Sequence, residues 1–305
     1  MDVAAFFKLK KNSMKRFYAS IVVAMLAMAS FAQQSDLFPY PAMPDSLRTP
    51  EKRMEYLLQH YWDRYNFADS TIATKTEYNE QGFVNFIDLL PRVKPAIAAD
   101  AMRTFVDRMY SACKPQREAL ANLADQYLGD NESPVHNDML YAMYLELTAS
   151  SKFASAAERT RNEYMARNLR KNLPGTVAAD FDYITHDGAK HTMHKFEARF
   201  TLLYFYDPDC QHCRDTAAKL ADMEPQFKNK GIKVLAIYPY EETERWLNIN
   251  PPFPNSWTDG CSPQGKIIND DTYYFKSMPS LYLLDDEKRV ILKNPSVEVL
   301  ESNSL

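Results

Sequence analysis

The feature that most constrains this chain is an apolar segment followed directly by a Cys-x-x-Cys motif. Residues 199–206 are almost entirely apolar, aromatic or β-branched, a pattern typical of a strand buried on both faces. Cys210 and Cys213 follow after a short Asp-Pro-Asp segment, and residues 216–228 have the spacing of a helix. This order predicts a strand–turn–helix unit with Cys210 at the helix N-terminus.

A helix N-terminus gives this cysteine pair a specific chemistry. Unpaired backbone N–H groups and the helix dipole favour the thiolate of Cys210, and the thiolate is the nucleophile in thiol–disulfide exchange. Cys213 lies one turn further on, within reach of a mixed disulfide on Cys210. A protonated His212 would favour the thiolate further, whereas the carboxylates of Asp207 and Asp209 oppose it. We therefore predict a redox site with Cys210, Cys213 and His212 as its catalytic residues.

The rest of the C-terminal region alternates between strand and helix patterns. Residues 176–184 alternate like a strand, residues 233–237 form a second buried run, and residues 280–284 and 289–292 flank a turn as a hairpin. Residues 241–275 combine a short helix, a proline-rich loop and another helical stretch. A parallel pair joined through a helix, together with an antiparallel hairpin, predicts a mixed α/β sheet.

The preceding region has a helical pattern instead. Apolar residues recur at spacings of three and four, and charged residues occupy the opposite faces. Glycine is nearly absent there. The amphipathic stretches are residues 54–62, 97–113, 116–128, 137–149 and 155–168. They predict an all-α domain, which ends at the Asn-Leu-Pro-Gly segment of residues 172–175.

The first 32 residues have the pattern of an export signal. Five basic side chains precede an apolar run at residues 21–32, which closes with small residues at the positions that a signal peptidase reads. An uncleaved membrane anchor is the alternative, although a bilayer span takes about 20 apolar residues. We divide the chain into a signal peptide (1–32), an extended lead-in (33–50), a helical domain (51–172) and a redox domain (173–305), and we expect a periplasmic protein.

The motifs of the redox domain carry a family resemblance. Residues 175–305 resemble the thioredoxin-fold domain of exported, TlpA-like thiol–disulfide oxidoreductases of Bacteroidetes type, through the Asp-Pro-Asp-Cys-Gln-His-Cys segment and residues 277–285. The resemblance implies that Pro279 is a cis-proline beside the cysteine pair, and that Met278 and Pro279 bind the substrate. The helical region, about residues 36–170, is similar to a DUF5106 domain.

The redox domain departs from the family pattern at two places. The Glu-x-Pro often found after the second cysteine is missing from residues 214–217. Residues 296–305 leave only a short stretch for the family's last helix. The first departure bears on the surroundings of the cysteines, and the second bears on the completeness of the fold.

Other interpretations of the cysteine pair are less favoured. A purely structural disulfide seldom lies at a strand–helix junction, zinc would need two further ligands, and haem attachment needs a histidine where Arg214 stands. We therefore expect no metal and no cofactor. Cys113 is expected to be a small buried residue within a helix. Cys261 is expected in a loop, either as a free thiol or paired with Cys113.

The predicted function is dithiol–disulfide exchange with protein thiols and disulfides in an oxidising compartment, coupled to a membrane redox donor or acceptor. The direction of electron flow stays open. A net charge of −4 without a basic stripe argues against nucleic acid as a partner. Two alternatives are kept. One is a thiol peroxidase, which the lack of a Thr-x-x-Cys pattern disfavours, and the other is a binding protein whose helical domain engages a partner.

Overall fold

A computed structural model describes residues 38–131, 133–248 and 253–302 of the chain. The predicted signal peptide (1–32) and part of the lead-in lie outside these residues. From Tyr40 onward the described residues belong to one structural unit. No helix within the described ranges is long and apolar enough to cross a membrane.

Six α-helices lie in the described part of the chain before residue 172. They are α1 (Pro50–Gln59), α2 (Thr76–Leu89), α3 (Pro95–Ser111), α4 (Lys114–Tyr127), α5 (Asp138–Ser150) and α6 (Ala156–Leu169). Aromatic side chains dominate their core. The buried ring of Trp62 lies 4.9 Å from that of Phe105 and 5.3 Å from that of Phe86, between ring centroids. The predicted all-α region is therefore a bundle packed around large rings.

Local signals explain where α5 and α6 begin. The side chain of Asn137 accepts a hydrogen bond from the Leu140 N–H at the start of α5, and Ser155 forms a reciprocal capping box with Glu158 at the start of α6. The predicted bounds of α3 to α6 agree with the structure to within about two residues. Helix α2 was not predicted, because Gly82 and interspersed polar residues weaken its apolar pattern.

Seven strands form one mixed sheet in the described C-terminal region. They are β1 (Asp182–Thr185), β2 (Lys190–Thr192), β3 (Phe200–Phe205), β4 (Ile232–Tyr238), β5 (Thr258–Cys261), β6 (Ser280–Leu284) and β7 (Val290–Lys293). Their order across the sheet is β2-β1-β5-β4-β3-β6-β7. Strands β3, β4 and β5 are parallel, whereas β6 runs antiparallel to β3 and β1 runs antiparallel to β5.

Strand β3 occupies the centre of this sheet and is buried on both faces. Leu202 and Tyr204 belong to the core on one side, whereas Leu203 and Phe205 belong to the core on the other. The five helices described in this region are α7 (Gln211–Asp222), α8 (Glu224–Lys230), α9 (Thr243–Leu247), α10 (Lys266–Asn269) and α11 (Val297–Ser302). Because β3 is fixed on both faces, the loop that leaves its C-terminal end has a defined starting point.

Three expectations from the sequence were wrong. The strand expected over residues 176–184 is limited to β1, because residues 177–181 make other contacts, including an isolated bridge from Val177 to Arg289. Cys261 lies in the buried strand β5 rather than in a loop. Cys113 is the N-cap of α4 and is partly exposed, rather than buried within a helix. All four cysteines are free thiols, so Cys113 and Cys261 are not paired.

A buried lysine joins the helical bundle to the sheet. The ammonium group of Lys293, on β7, lies 2.8 Å from a carboxylate oxygen of Asp138 at the start of α5. It also donates to the carbonyl oxygens of Leu169 (2.8 Å) and Lys171 (3.0 Å), just at the end of α6. Its side chain is 4% exposed. These contacts fix the end of the last bundle helix against the edge strand of the sheet.

Candidate redox site

Cys210 is the N-cap residue of α7, as the sequence predicted. Its sulfur accepts a hydrogen bond from the Cys213 N–H at 3.3 Å, so the thiol occupies the position of a capping side chain. The Asp207 carboxylate accepts from the Asp209 N–H at 2.9 Å and shapes the loop between β3 and α7. The backbone donors of a helix N-terminus therefore face this sulfur, where they stabilise negative charge.

Cys213 lies one turn into α7 and is 1% exposed. Burial raises the pKa of its thiol to about 12, although a hydrogen bond to the backbone of Asp207 opposes the shift. The Tyr204 hydroxyl donates to the Cys213 carbonyl at 2.6 Å and holds the helix turn against β3. The two cysteines therefore differ in kind. Cys210 is partly accessible at the helix end, and Cys213 is enclosed and protonated at neutral pH.

The loop before β6 completes the site. The peptide bond between Met278 and Pro279 is cis, as the family resemblance implied. The Cys210 thiol donates to the Met278 carbonyl oxygen at a sulfur–oxygen distance of 3.7 Å. The structure therefore brings together four of the predicted site residues, Cys210, Cys213, Met278 and Pro279. The fifth, His212, is exposed on the first turn of α7.

An arginine that the sequence did not suggest lies beside the redox loop. Arg245, on α9, forms an ion pair with Asp209 and lies 3.6 Å from the Asp207 carboxylate. Glu242 lies 3.7 Å from the same guanidinium group. The two carboxylates that oppose a thiolate at Cys210 are thus partly neutralised. No sequence motif marks this arginine, because the pairing depends on how α9 folds back over the loop.

A polar cluster at the side of the sheet holds α9 in place. The Asp259 carboxylate accepts from the Tyr206 hydroxyl at 2.8 Å and lies 2.9 Å from the His186 ring nitrogen. Burial raises the pKa of this carboxyl, although both neighbours oppose the shift. His186 stacks at 4.0 Å on the fully buried ring of Trp246, which is next to Arg245 in α9. The neighbouring Trp246 thus anchors the short helix that carries Arg245.

Among the residues that the structure describes, no group of three or more His, Cys, Asp or Glu side chains is arranged to hold a metal ion.

Two family models and a solved structure match this chain. Residues 10–172, more than half of the chain, match DUF5106, a domain of unknown function. Residues 174–291 match the AhpC/TSA family. A solved thioredoxin-like protein from Bacteroides caccae is 34% identical, with a TM-score of 0.74, and the match covers 89% of this chain and 98% of that one. The chain is a thioredoxin-like protein with a DUF5106 domain.

This DUF5106 protein also matches two thiol–disulfide oxidoreductases over less than half of its length. The thiol–disulfide oxidoreductase ResA of Bacillus thuringiensis is 24% identical over 132 residues, which cover 43% of this chain and 71% of that protein. ResA of Bacillus cereus is 23% identical over 123 residues, covering 40% and 67%. The predicted fold, a thioredoxin fold preceded by an all-α domain, is confirmed. The assignment to the thiol–disulfide oxidoreductases is also confirmed.

Proposed function

We propose that this protein is an extracytoplasmic oxidoreductase that exchanges dithiols and disulfides through its Cys210-Gln211-His212-Cys213 motif. The observation that carries the proposal is the asymmetry of the two thiols. Cys210 is partly accessible at a helix N-terminus and contacts the carbonyl of Met278, whereas Cys213 is enclosed one turn later. This is the arrangement that a nucleophilic cysteine and a resolving cysteine require.

The reaction has two exchange steps. The Cys210 thiolate attacks one sulfur of a substrate disulfide, which forms a mixed disulfide and releases the other substrate sulfur as a thiolate that takes up a proton. Cys213 then loses its proton and attacks the Cys210 sulfur, which closes the Cys210–Cys213 disulfide and releases the second substrate thiol. The substrate disulfide gains two electrons and two protons, and the protein dithiol loses them. The reverse sequence oxidises a substrate dithiol.

Other residues of the site assist these steps in the proposal. The carbonyl of Met278 is close enough to Cys210 for a substrate backbone to dock alongside Met278 and Pro279. His212 tunes the pair when it is protonated, because a positive charge near the helix end favours the thiolate. Arg245 acts in the same direction by neutralising Asp207 and Asp209.

The pattern of the first 32 residues supports a cellular setting for this function. We propose cleavage after Ala32, a periplasmic location, and domain bounds of 33–50 for the lead-in, 51–172 for the helical domain and 173–305 for the redox domain. In that compartment a membrane redox donor would be needed for reductase work, and an acceptor for oxidase work. N-terminal sequencing of the mature protein tests the cleavage, and the expected first residue is Gln33. A mature chain that keeps the apolar run would contradict cleavage.

The exchange chemistry is tested with insulin and dithiothreitol. The wild-type protein should accelerate reduction of the insulin disulfides, and Cys210→Ser should abolish the acceleration. Cys113→Ser is the matched control, because this thiol lies in the helical bundle, and it should keep full activity. Full activity of Cys210→Ser would contradict the proposal. The reduction potential then decides the direction, since about −270 mV favours a reductase and about −120 mV an oxidase.

Two alternative functions are tested by two further assays, one of which uses the Cys210→Ser variant. A thiol peroxidase, which the AhpC/TSA match keeps in view, would consume hydrogen peroxide faster than it reduces insulin. A binding protein that uses the redox fold as a scaffold would retain its cellular role after Cys210→Ser. Peroxide consumption and complementation of a deletion strain therefore separate the three functions.

A further inference from the structure

The segment that leads into Met278 contacts the helical domain at its beginning. We call residues 271–277 the approach segment. The Tyr164 hydroxyl, on α6, donates to the Asp271 carboxylate at 3.0 Å, and the ammonium group of Lys171 donates to the Asp271 carbonyl. The Asn172 side chain donates to the Thr272 carbonyl at 3.0 Å. Three residues at the end of the helical domain therefore hold the start of this segment.

The other end of the approach segment contacts α5 and the loop between α4 and α5. The Lys276 ammonium group lies 5.1 Å from the ring centroid of Tyr141, and the Asn131 amide donates to the Ser277 hydroxyl at 3.4 Å. A Cβ atom at Gly129 would lie 2.7 Å from the Lys276 nitrogen and 2.9 Å from the Tyr141 ring. Glycine at this position therefore permits the close approach of the two elements.

The approach segment depends on such contacts for its conformation. It lies between α10 and β6 and contains no helix or strand of its own. Its middle is anchored in the sheet core by Tyr273, which is buried and donates to the Ala179 carbonyl at 2.8 Å. Its last residue, Ser277, precedes Met278, whose carbonyl contacts the Cys210 thiol. The contact with Asn131 is thus one residue away from the wall of the redox site.

We infer that the helical domain is part of the substrate-docking machinery, because it holds the approach segment in the position that presents Met278 to a polypeptide disulfide. The inference rests on the proposed exchange function. A polypeptide substrate must lie along Met278 to reach Cys210, so its binding depends on where this segment is held. Cys210 is partly exposed, so a small disulfide reaches it without that surface. Asn131 and Tyr164 are positioning residues in this scheme.

The test compares two substrates with one double variant. Asn131→Ala/Tyr164→Phe removes side-chain contacts at both ends of the approach segment, and Tyr164 is 40% exposed, so the fold is retained. The variant should raise the KM for insulin disulfides at least about fivefold, while kcat/KM for the small hydroxyethyl disulfide stays within about twofold. Hydrogen exchange at Ser277 and Met278 should accelerate, with the exchange in β3 unchanged.

Arg92→Gln is the matched control. It removes an exposed ion pair with Asp88 elsewhere in the helical domain and should leave both activities unchanged. An unchanged KM for insulin in the double variant, or equal losses on both substrates, would overturn the inference. Either of these results would leave the proposed function intact. The proposed function itself would be contradicted by a wild-type protein that is inactive toward both disulfides.

Discussion

The guanidinium group of Arg245 lies 3.6 Å from the carboxylate of Asp207, so a cation on α9 faces the loop that carries the redox cysteine. The same group pairs with Asp209. The positive charge matters most for the reduced protein, because the reduced form can carry a thiolate whereas the disulfide is uncharged. We therefore expect Arg245 to stabilise the reduced form relative to the oxidised form.

We predict that Arg245→Gln makes the Cys210–Cys213 couple more reducing. Two unpaired carboxylates then destabilise the thiolate, and a change of about fivefold in the redox equilibrium corresponds to about 20 mV toward more negative potential. Equilibration with glutathione buffers measures the potential. Arg245→Lys should have a potential close to that of the wild type, because it keeps the positive charge. Arg289→Gln is the control, since its ion pair with Glu287 lies at the far end of the sheet. Equal potentials for Arg245→Gln and wild type would contradict the prediction.

A second prediction concerns the order in which the thiols react. Burial raises the pKa of the Cys213 thiol to about 12, so this thiol is protonated at pH 7, and Cys213 is buried. Cys210 should therefore react with iodoacetamide at least about tenfold faster than Cys213, as peptide mass mapping would show. Cys213→Ser should accumulate a stable mixed disulfide with a substrate, whereas Cys210→Ser should form none. A trapped complex on Cys213 in the Cys210→Ser variant would reverse the assigned roles.

A third prediction concerns the Asp138 carboxyl, which makes the free energy of unfolding depend on pH. Burial alone would raise the pKa of this carboxyl, but the hydrogen bond with His136 and the charge of Lys293 lower it overall. A carboxyl whose folded pKa lies below its unfolded value of about 3.8 contributes stability above pH 4, and that contribution is lost as the pH falls. Asp138→Asn should reduce the free energy of unfolding by about 3 kcal/mol at pH 7, because Lys293 loses its buried partner.

Urea unfolding at several pH values checks this. The difference between Asp138→Asn and wild type should shrink as the pH falls below 4, because the wild-type carboxyl becomes protonated first in the unfolded chain and then, below its lowered pKa, in the folded protein. Asp88→Asn is the control, because its ion pair with Arg92 is on the surface and is worth at most about 1 kcal/mol. A difference that stays constant from pH 7 to pH 3 would show that the charge of Asp138 is not the source of the stability.

A fourth prediction concerns Gly129. A methyl group there would lie 2.5 Å from the Asp125 carbonyl oxygen and 2.9 Å from the Tyr141 ring. We expect Gly129→Ala to lower the free energy of unfolding by about 1–3 kcal/mol, because atoms must move apart to admit the methyl group. Thermal unfolding measures the change. A variant as stable as wild type would mean that the loop between α4 and α5 can shift without cost.

The sequence predicted the parts of the site that depend on local order. Cys210 follows a strand that is apolar throughout and precedes a helix, so its place at a helix N-terminus could be predicted from neighbours along the chain. The cis bond at Pro279 could be predicted only through the family resemblance, because cis X–Pro bonds are uncommon and residue propensity does not indicate one. The cores of α3 to α6 were also predictable, since each has a strong helical period.

Features that depend on distant segments were missed. Strand β5 has the sequence Thr-Asp-Gly-Cys, whose Asp and Gly have low strand propensity, and it exists because β4 and β1 provide partners on either side. Asp259 and Cys261 therefore could not be placed. The pairing of Arg245 with Asp207 depends likewise on the fold, since 38 positions separate them along the chain. Cys113 was misplaced by the few residues that separate a helix end from an N-cap.

The contacts of Lys293 also determine how this enzyme can meet its partners. A redox domain on a flexible linker can change its orientation relative to the rest of the protein. Here Lys293 binds the edge strand to the carbonyl oxygens of Leu169 and Lys171, at the end of α6. The redox domain therefore cannot reorient relative to the bundle as it would on a linker. An incoming polypeptide meets the two domains as one continuous surface.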